Sequence, residues 1–527
     1  MHKLVDSLKN KLHSGSEEPG RHDAQTVMRV QSTEFPSPSD FFQYRRLRGV
    51  NLGAWFVLER WIAETPFRSA AAPGQSDHDV ARGAQAKEVL EHHWDTWITE
   101  PDFAWIAQKG LNAVRLPIGY YHLCGANPSV LKGTEFENLG HVFQGAWARI
   151  TNAIRLANKY GLGVLIDLHA APGKQNRDAH SGSSGEPRFF NKENMRLTID
   201  VLAVLTGQLS NLAKSAGSPV PNILGIELLN EPQQDPSLER WYLDAIRAVR
   251  SVDTSIPIYI GDSWMTDQYA SFIESHADAL PFTVLDHHLY RCFTQSDAST
   301  PASQHAHNLR DPNARTPQMF ARVSQKLQGA GGALVVGEWS GALNPGSLQG
   351  VGDDTAVRRE FIAAQLALYE QYCAGYFFWT YKKEQPGDKG WSLRDAVAAG
   401  VFPSHVGLSK RGAALRDDPQ QHTRRDHARD QALAQHTGYW SQYPGNYEHW
   451  RFGEGFIRGW EDAWMFFKSV SMLPPDASVP ELGFTGPWTK IRVREHAAAK
   501  GSSNLWEFEH GFNQGISTAR DDLANLQ

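Results

Sequence analysis

The chain has 527 residues, a formal net charge of −6 with both signs interspersed, 41% hydrophobic and 21% charged residues. That length holds one large domain and something beyond it, and the charge argues against nucleic acid or an anionic membrane as partner. No apolar run approaches a membrane span, and three scattered cysteines, Cys124, Cys292 and Cys373, make neither a zinc pattern nor a disulfide framework.

Residues 1–40 are rich in Ser, Glu, Pro and His and read as a polar, disordered tail. Charges interrupt Met1–Lys9 too often for a signal-peptide core. The one glycosylation near miss, Asn127-Pro128-Ser129, is blocked by proline. With the cysteine usage, these features predict a cytoplasmic protein.

From residue 48 short apolar runs alternate with amphipathic stretches. Eight runs are predicted strands: Arg48–Gly53, Ala113–Gly119, Gly163–His169, Ile223–Glu231, Pro257–Trp264, Phe282–Tyr290, Ala333–Ser340 and Ala374–Tyr381. Their near-continuous apolar interiors suit strands buried on both faces. Helical patterns lie between them, as at Ala146–Lys159, Leu197–Ala216, Leu238–Val252 and Thr355–Tyr372. This alternation predicts an α/β chain, a (β/α)₈ TIM barrel over residues 41–410. Residues 411–436 alternate Arg and Asp and read as a charged linker or helix.

The stretch 437–527 predicts an aromatic-rich helical extension with an internal repeat. Trp450-x-Phe452-x-x-Gly455-Phe456-x-x-Gly459 recurs as Trp506-x-Phe508-x-x-Gly511-Phe512-x-x-Gly515. Glycines four apart line one helix face and permit close backbone approach. Two related helical units packing on each other or on the barrel follow, with sugar binding by an exposed Trp as the alternative. The 17 Trp, 15 Tyr and 25 Phe suit core packing first and sugar stacking second.

In such a barrel the active site lies at the carboxyl ends of the strands. Polar residues gather there: Asn51, Arg115, Asp167 and His169, Asn230 and Glu231, Asp262, His288 and Tyr290, Glu338 and Trp379. The fourth strand ends in Asn230-Glu231-Pro232 and the seventh in Gly337-Glu338-Trp339, on opposite sides of the barrel mouth. Two carboxyl groups about 5–5.5 Å apart are what a retaining glycosidase needs, one to attack the anomeric carbon and one to protonate the leaving oxygen. A single strand-end Glu is equally well a rim salt-bridge partner; the pair with its neighbours is the signal. Glu227, deeper in the strand, reads as structural.

Residues 45–410 resemble glycoside hydrolase family five of clan A, and within it the fungal exo-β-1,3-glucanase branch. The resemblance runs through Arg48-Gly49-Val50-Asn51-Leu52-Gly53-Ala54-Trp55, His93-Trp94-Asp95-Thr96-Trp97, Asn112-Ala113-Val114-Arg115-Leu116-Pro117, Asp167-Leu168-His169-Ala170-Ala171-Pro172-Gly173, Asn230-Glu231-Pro232, Asp286-His287-His288-Leu289-Tyr290 and Gly337-Glu338. It implies Glu231 as acid/base, with its proton held at rest, and Glu338 as an ionised nucleophile. It implies that Arg115 supports Glu338, Asn230 bonds the sugar 2-hydroxyl, and His169, His288 and Tyr290 surround the sugar and nucleophile. Glu59 and Trp379 match a hydroxyl acceptor and a stacking platform in the innermost subsite. It implies no metal and no cofactor.

One departure stands out. The branch clamps the leaving sugar between two phenylalanines. Phe293 matches one; the other falls on Asp178, in the charged loop Lys174-Gln175-Asn176-Arg177-Asp178-Ala179-His180. The expected activity is exo-acting hydrolysis of terminal β-glucosyl residues, with a β-glucoside or β-glucan oligosaccharide as substrate. A β-glucosidase acting on a lipid, sterol or flavonoid glucoside is the alternative inside the fold, and a non-catalytic carbohydrate-binding barrel the alternative outside it.

Overall fold

The structure is a computed structural model and describes residues 36–215, 218–408, 418–474 and 477–526. Residues 1–35 of the tail and 409–417 of the charged stretch lie outside the described residues. Eight parallel strands close a barrel in sequence order: β1 (Leu47–Asn51), β2 (Ala113–Gly119), β3 (Gly163–Ala170), β4 (Ile223–Glu227), β5 (Ile258–Gly261), β6 (Thr283–Leu289), β7 (Ala333–Trp339) and β8 (Gly375–Phe378). Every residue of these strands is buried. Strands covered on both faces have no solvent side, which is why their sequences run apolar without alternation. Helices such as Ala146–Lys159, Lys192–Ala213, Leu238–Val252 and Thr355–Tyr372 form the outer ring.

The fourth strand is shorter than the sequence suggests. Hydrogen-bonded pairing stops at Glu227, and Glu231 lies beyond it at φ 42°. That left-handed conformation costs a non-glycine residue on the order of 1–3 kcal/mol and persists only where its surroundings impose it. Here they do: Asn176 Nδ2 donates to the Glu231 carbonyl at 3.0 Å, and Gln175 Nε2 to those of Asn230 and His169 at 3.0 and 2.7 Å. Pairing of β6 with β7 shifts register between His287 and His288, which brings His288 level with Glu338. Such an irregularity re-aims side chains at the end of a strand.

The last hundred residues form helices Gln421–Trp440, His449–Lys468, Thr485–Lys500 and Leu505–Asn525. The two halves of the sequence repeat are the second and fourth of these, packed on each other. A Cβ added at Gly455 or Gly459 would come within 2.2 or 2.0 Å of the Phe508 or Phe512 carbonyl oxygen, and one at Gly511 or Gly515 within 2.0 or 2.2 Å of those of Phe452 or Phe456. The contact is reciprocal, glycines of each helix seating on the backbone of the other. Gly459→Val should therefore destabilise the protein by about 2–4 kcal/mol, because no flexible side chain can yield. Gly438→Ala, whose added Cβ meets nothing within 4 Å, is the matched control and should be neutral or slightly stabilising. Urea denaturation of both variants checks this; equal midpoints would contradict the close helix contact.

This helical region covers the amino-terminal end of the barrel. Arg46 N donates to the Glu481 carbonyl at 2.7 Å, and Arg48 pairs with Glu481 and Glu370 at 2.5 and 2.6 Å. Trp488 and Phe484 pack on Tyr44 and Phe282, just before β1 and β6. Gly486 sits against the Gly332 carbonyl before β7. No helix among the described residues is long and apolar enough to cross a membrane.

Candidate active site

The opposite, carboxyl-terminal end of the barrel opens into a cleft of about 1350 Å³. Of the ten residues to which the resemblance gives a role, all but Arg115 and Asn230 line it: Glu59, His169, Glu231, His288, Tyr290, Phe293, Glu338 and Trp379. Arg115 and Asn230 lie beneath, fully buried. No described residue of the C-terminal helical region is among those lining the cleft.

Arg115 organises the floor. Its Nε donates to Glu227 Oε2 at 2.7 Å, one terminal nitrogen to Asn51 Oδ1 and Glu338 Oε1, both at 3.0 Å, and the other to Asn230 Oδ1 at 2.8 Å, with Asp167 Oδ2 3.0 Å away. The planar guanidinium thus holds five side chains from four strands or strand ends at once. A cation among three carboxylates stays charged: burial opposes it, and Asp167, Glu227 and Glu338 outweigh burial. Glu227, read in the sequence as structural, is fully buried and is not among the residues lining the cleft. With Arg115 holding its Oδ1, Asn230 turns its amide nitrogen toward His169 Nε2, 3.4 Å away. His169 Nδ1 lies 2.6 Å from Asp167, and its ring stacks on Trp379 at 5.7 Å with 6° between planes. Burial holds His169 well below its usual range, so it is neutral.

Glu231 and Glu338 converge above this floor. His288 Nδ1 stands between them, 2.7 Å from Glu231 Oε1 and 3.4 Å from Glu338 Oε2, and Tyr290 donates its hydroxyl to Glu338 Oε2 at 2.8 Å. One oxygen of each carboxyl and one nitrogen of His288 all lie within 4.8 Å of one another. So close an approach suits attack by one carboxylate and proton delivery by the other.

The three groups titrate as a unit. Burial pushes Glu338 up, to about 8, with the Glu231 charge adding to it and His288, Arg115 and Tyr290 opposing. Burial also works against the Glu231 anion, but the His288 hydrogen bond and charge, helped by His180 and His169, hold it down, to about 2. His288 is itself held well above its usual range, burial being outweighed by Glu338 and Asp286. The sequence reading expected the reverse at rest, a protonated Glu231 facing an ionised Glu338. The difference has two causes, the burial that raises Glu338 and the His288 contact at 2.7 Å that favours the Glu231 anion, and no linear motif displays either. The proton count suits the chemistry all the same, since moving one proton from Glu338 to Glu231 through His288 leaves the total unchanged.

Around the pair, Glu59 accepts from Trp61 Nε1 at 2.7 Å, and burial pushes its carboxyl up, to about 8. Trp61 meets Trp391 edge-on at 5.3 Å, and Trp391 packs on Tyr290 at 5.4 Å and on Phe293 at 5.9 Å. Phe293 is 71% exposed. The loop after β3 brings Asp178 and His180 to the cleft, and that after β5 brings the exposed Trp264 and Met265. Sequence reading missed Trp61, Trp391, Trp264 and the role of Gln175 and Asn176. Trp61 stands two residues from Glu59, and Gln175 and Asn176 lie in the charged loop already noted; Trp264 and Trp391 come from loops whose course a motif does not encode.

The fold and this geometry can be set beside known proteins. Residues 81–385 match the family model described as cellulase (glycosyl hydrolase family 5). The chain belongs to glycoside hydrolase family 5. Residues 421–522 match the model of the glucan 1,3-beta-glucosidase 3 C-terminal domain. The chain is 32% identical to glucan 1,3-beta-glucosidase 3 of Schizosaccharomyces pombe over 487 residues, covering 90% of this chain and 95% of that protein. It is 31% identical to probable glucan 1,3-beta-glucosidase A of Aspergillus fumigatus over 410 residues, 70% of this chain and 90% of the relative. Among solved structures, rutinosidase from Aspergillus niger superposes with a TM-score of 0.53 at 20% identity, over 69% of this chain and 99% of that one, a likeness of fold. This family 5 member is a glycoside hydrolase on a closed parallel barrel.

Proposed function

We propose that the protein is a retaining exo-β-glucosidase that removes terminal glucosyl residues from β-1,3-linked oligosaccharides, with Glu338 as nucleophile and Glu231 as acid/base. The observation that carries this is the approach of one oxygen of each carboxyl group to within 4.8 Å in the cleft. The names of the relatives support the glucan substrate.

In the first step Glu338, anchored by Arg115 at 3.0 Å and Tyr290 at 2.8 Å, attacks the anomeric carbon from below the ring. Glu231 gives its proton to the glycosidic oxygen, and the C–O bond to the leaving group breaks. In the second step Glu231 takes a proton from water, whose oxygen displaces Glu338 and restores the β-configuration. His288 is the path by which the proton reaches Glu231. Asn230, fixed by Arg115 beneath the cleft, is the residue that the family resemblance assigns to the 2-hydroxyl, where a hydrogen bond strengthens as positive charge develops on the ring. Glu59 accepts from a hydroxyl at the far end of the glucosyl ring, and Trp379 with Trp61 and Trp391 closes the space around it.

The names of the relatives support exo action. Glu59, Trp61, Trp379 and Trp391 line the cleft together with residues after β5 and β6 as far as Asn308 and Arg322. The exposed Trp264, Met265 and Phe293 favour the second reading, a glucoside with an apolar aglycone. Laminari-oligosaccharides followed by proton NMR test the proposal. Glucose should appear alone from the non-reducing end, as the β-anomer before mutarotation. First-formed α-glucose would rule out double displacement, and release of internal oligosaccharides would rule out exo action.

A further inference from the structure

The two oxygens of the Glu231 carboxyl have different neighbours. Oε1 is occupied by His288 Nδ1 at 2.7 Å, so Oε2 is the oxygen left for a glycosidic oxygen. Oε2 faces His180 Nε2 at 3.9 Å, and the same nitrogen lies 3.8 Å from Asp178 Oδ2. Neither separation is a hydrogen bond, yet each is spanned by one oxygen placed about 2.8 Å from both atoms.

His180 is held in place for such a contact. Its ring lies on His169 with centroids 4.9 Å apart, and its Nδ1 is buried with no hydrogen-bond partner. Its loop is pinned by Ser181 Oγ donating to the Asp178 carbonyl at 2.6 Å, and by Asn176 Oδ1 accepting from Asp178 N at 3.0 Å while Asn176 Nδ2 grips the Glu231 carbonyl. The loop that shapes the Glu231 backbone therefore also sets a polar edge beside the Glu231 carboxyl. Burial holds His180 below its usual range, so the imidazole is neutral, with one nitrogen to donate and one to accept. Asp178, exposed at the mouth, offers a carboxyl oxygen as acceptor.

We propose that Asp178 and His180 form a leaving-group subsite that reads a hydroxyl adjacent to the glycosidic oxygen, so the preferred substrate is a β-glucoside whose aglycone carries a vicinal hydroxyl. This rests on the glucosidase reading above and chooses between its two versions. A hexose linked through O2, O3 or O4 carries such a hydroxyl; one linked through O6, or a simple sterol or lipid alcohol, does not. When the glycosidic oxygen reaches Glu231 Oε2, the carbon next to its own carries the hydroxyl into the space between His180 Nε2 and Asp178 Oδ2. The hydroxyl then donates to the carboxylate and accepts from the imidazole. An apolar aglycone covers both groups and pairs neither, and leaving buried polar groups unpaired is what makes such a site reject the analogue. Phe293 and Trp264 remain available to the faces of the leaving ring. Where an apolar clamp would grip any flat aglycone, this loop selects a hydroxylated one.

Two probes differing by that hydroxyl test the proposal: cyclohexyl β-glucoside and trans-2-hydroxycyclohexyl β-glucoside, with the full-length wild type, Asp178→Ala and His180→Phe. The wild-type kcat/KM should favour the hydroxylated probe by about 30-fold or more, and in both variants the ratio should fall to within about 3-fold of one. The ratio left in the variants measures the inductive effect of the hydroxyl, and thermal melting of each variant establishes that it is folded. A wild-type ratio near one, or a ratio that survives in both variants, overturns the subsite. If the wild type turns over neither probe nor 4-nitrophenyl β-glucoside, the glucosidase reading fails and takes the subsite with it.

Discussion

Glu338→Gly should lower kcat for 4-nitrophenyl β-glucoside by about 10⁵-fold, close to 7 kcal/mol of lost transition-state stabilisation. The loss is large because the residue forms the covalent bond of the intermediate, and nothing else beneath the sugar can. The fold should survive the change. Arg115 loses Glu338 at 3.0 Å but keeps Glu227 at 2.7 Å and Asp167 at 3.0 Å, so no buried cation is left unpaired. Azide provides the sharper measurement. In the variant it enters the space vacated below the ring and attacks directly, with Glu231 still present to protonate the leaving group. The product is then α-glucosyl azide, formed with a single inversion. A β-configured azide, or a kcat within tenfold of wild type, would remove Glu338 from the role.

Glu231→Ala should show the complementary pattern. On laminaribiose, whose leaving alkoxide needs a proton, activity should drop by about 10³–10⁴-fold. On 2,4-dinitrophenyl β-glucoside, whose leaving group needs none, glucosylation of Glu338 should stay fast and its hydrolysis become slow. The result is a burst of one dinitrophenolate per active site followed by a slow steady state. Azide should speed the steady state and yield β-glucosyl azide, because it now attacks a glucosyl–Glu338 ester from above. The same variant carries a pH test. Glu338 is pushed up to about 8 by burial and the Glu231 charge. Below that pH the coupled cluster keeps the proton that His288 passes to Glu231; as pH rises through it, the proton is lost and leaving-group departure fails. Wild-type kcat/KM for laminaribiose should therefore fall with an alkaline limb near pH 8. Burst kinetics of Glu231→Ala on the dinitrophenyl glucoside should lack that limb. An unchanged limb, or no burst, would assign the proton to another group.

How the site became legible differs from residue to residue. Glu231 and Glu338 could be found because each ends a buried apolar run with a carboxyl group, and burying a charge without a purpose is costly. Arg115 followed by the same logic, a guanidinium in the middle of β2. Trp379 and Phe293 were legible only through the family resemblance, since a lone aromatic is equally well core. Trp391 sits between Tyr290 and Phe293, yet nothing near it in the chain marks it, because the loop that carries it returns to the mouth only in three dimensions.

By itself the sequence determined the barrel, the position of both carboxyl groups at strand ends, and the glycine faces of the terminal repeat. Each of these is a local consequence: buried strands need unbroken apolar runs, and close helix contact needs glycine. Only tertiary structure decided where the proton rests, which end of the barrel the helical region covers, and what stands beside Glu231 Oε2. Those depend on atoms brought together from distant segments, His288 from β6 and His180 from the loop after β3. Charge–charge and hydrogen-bond energies are set by distance through space, and spacing along the chain does not specify them.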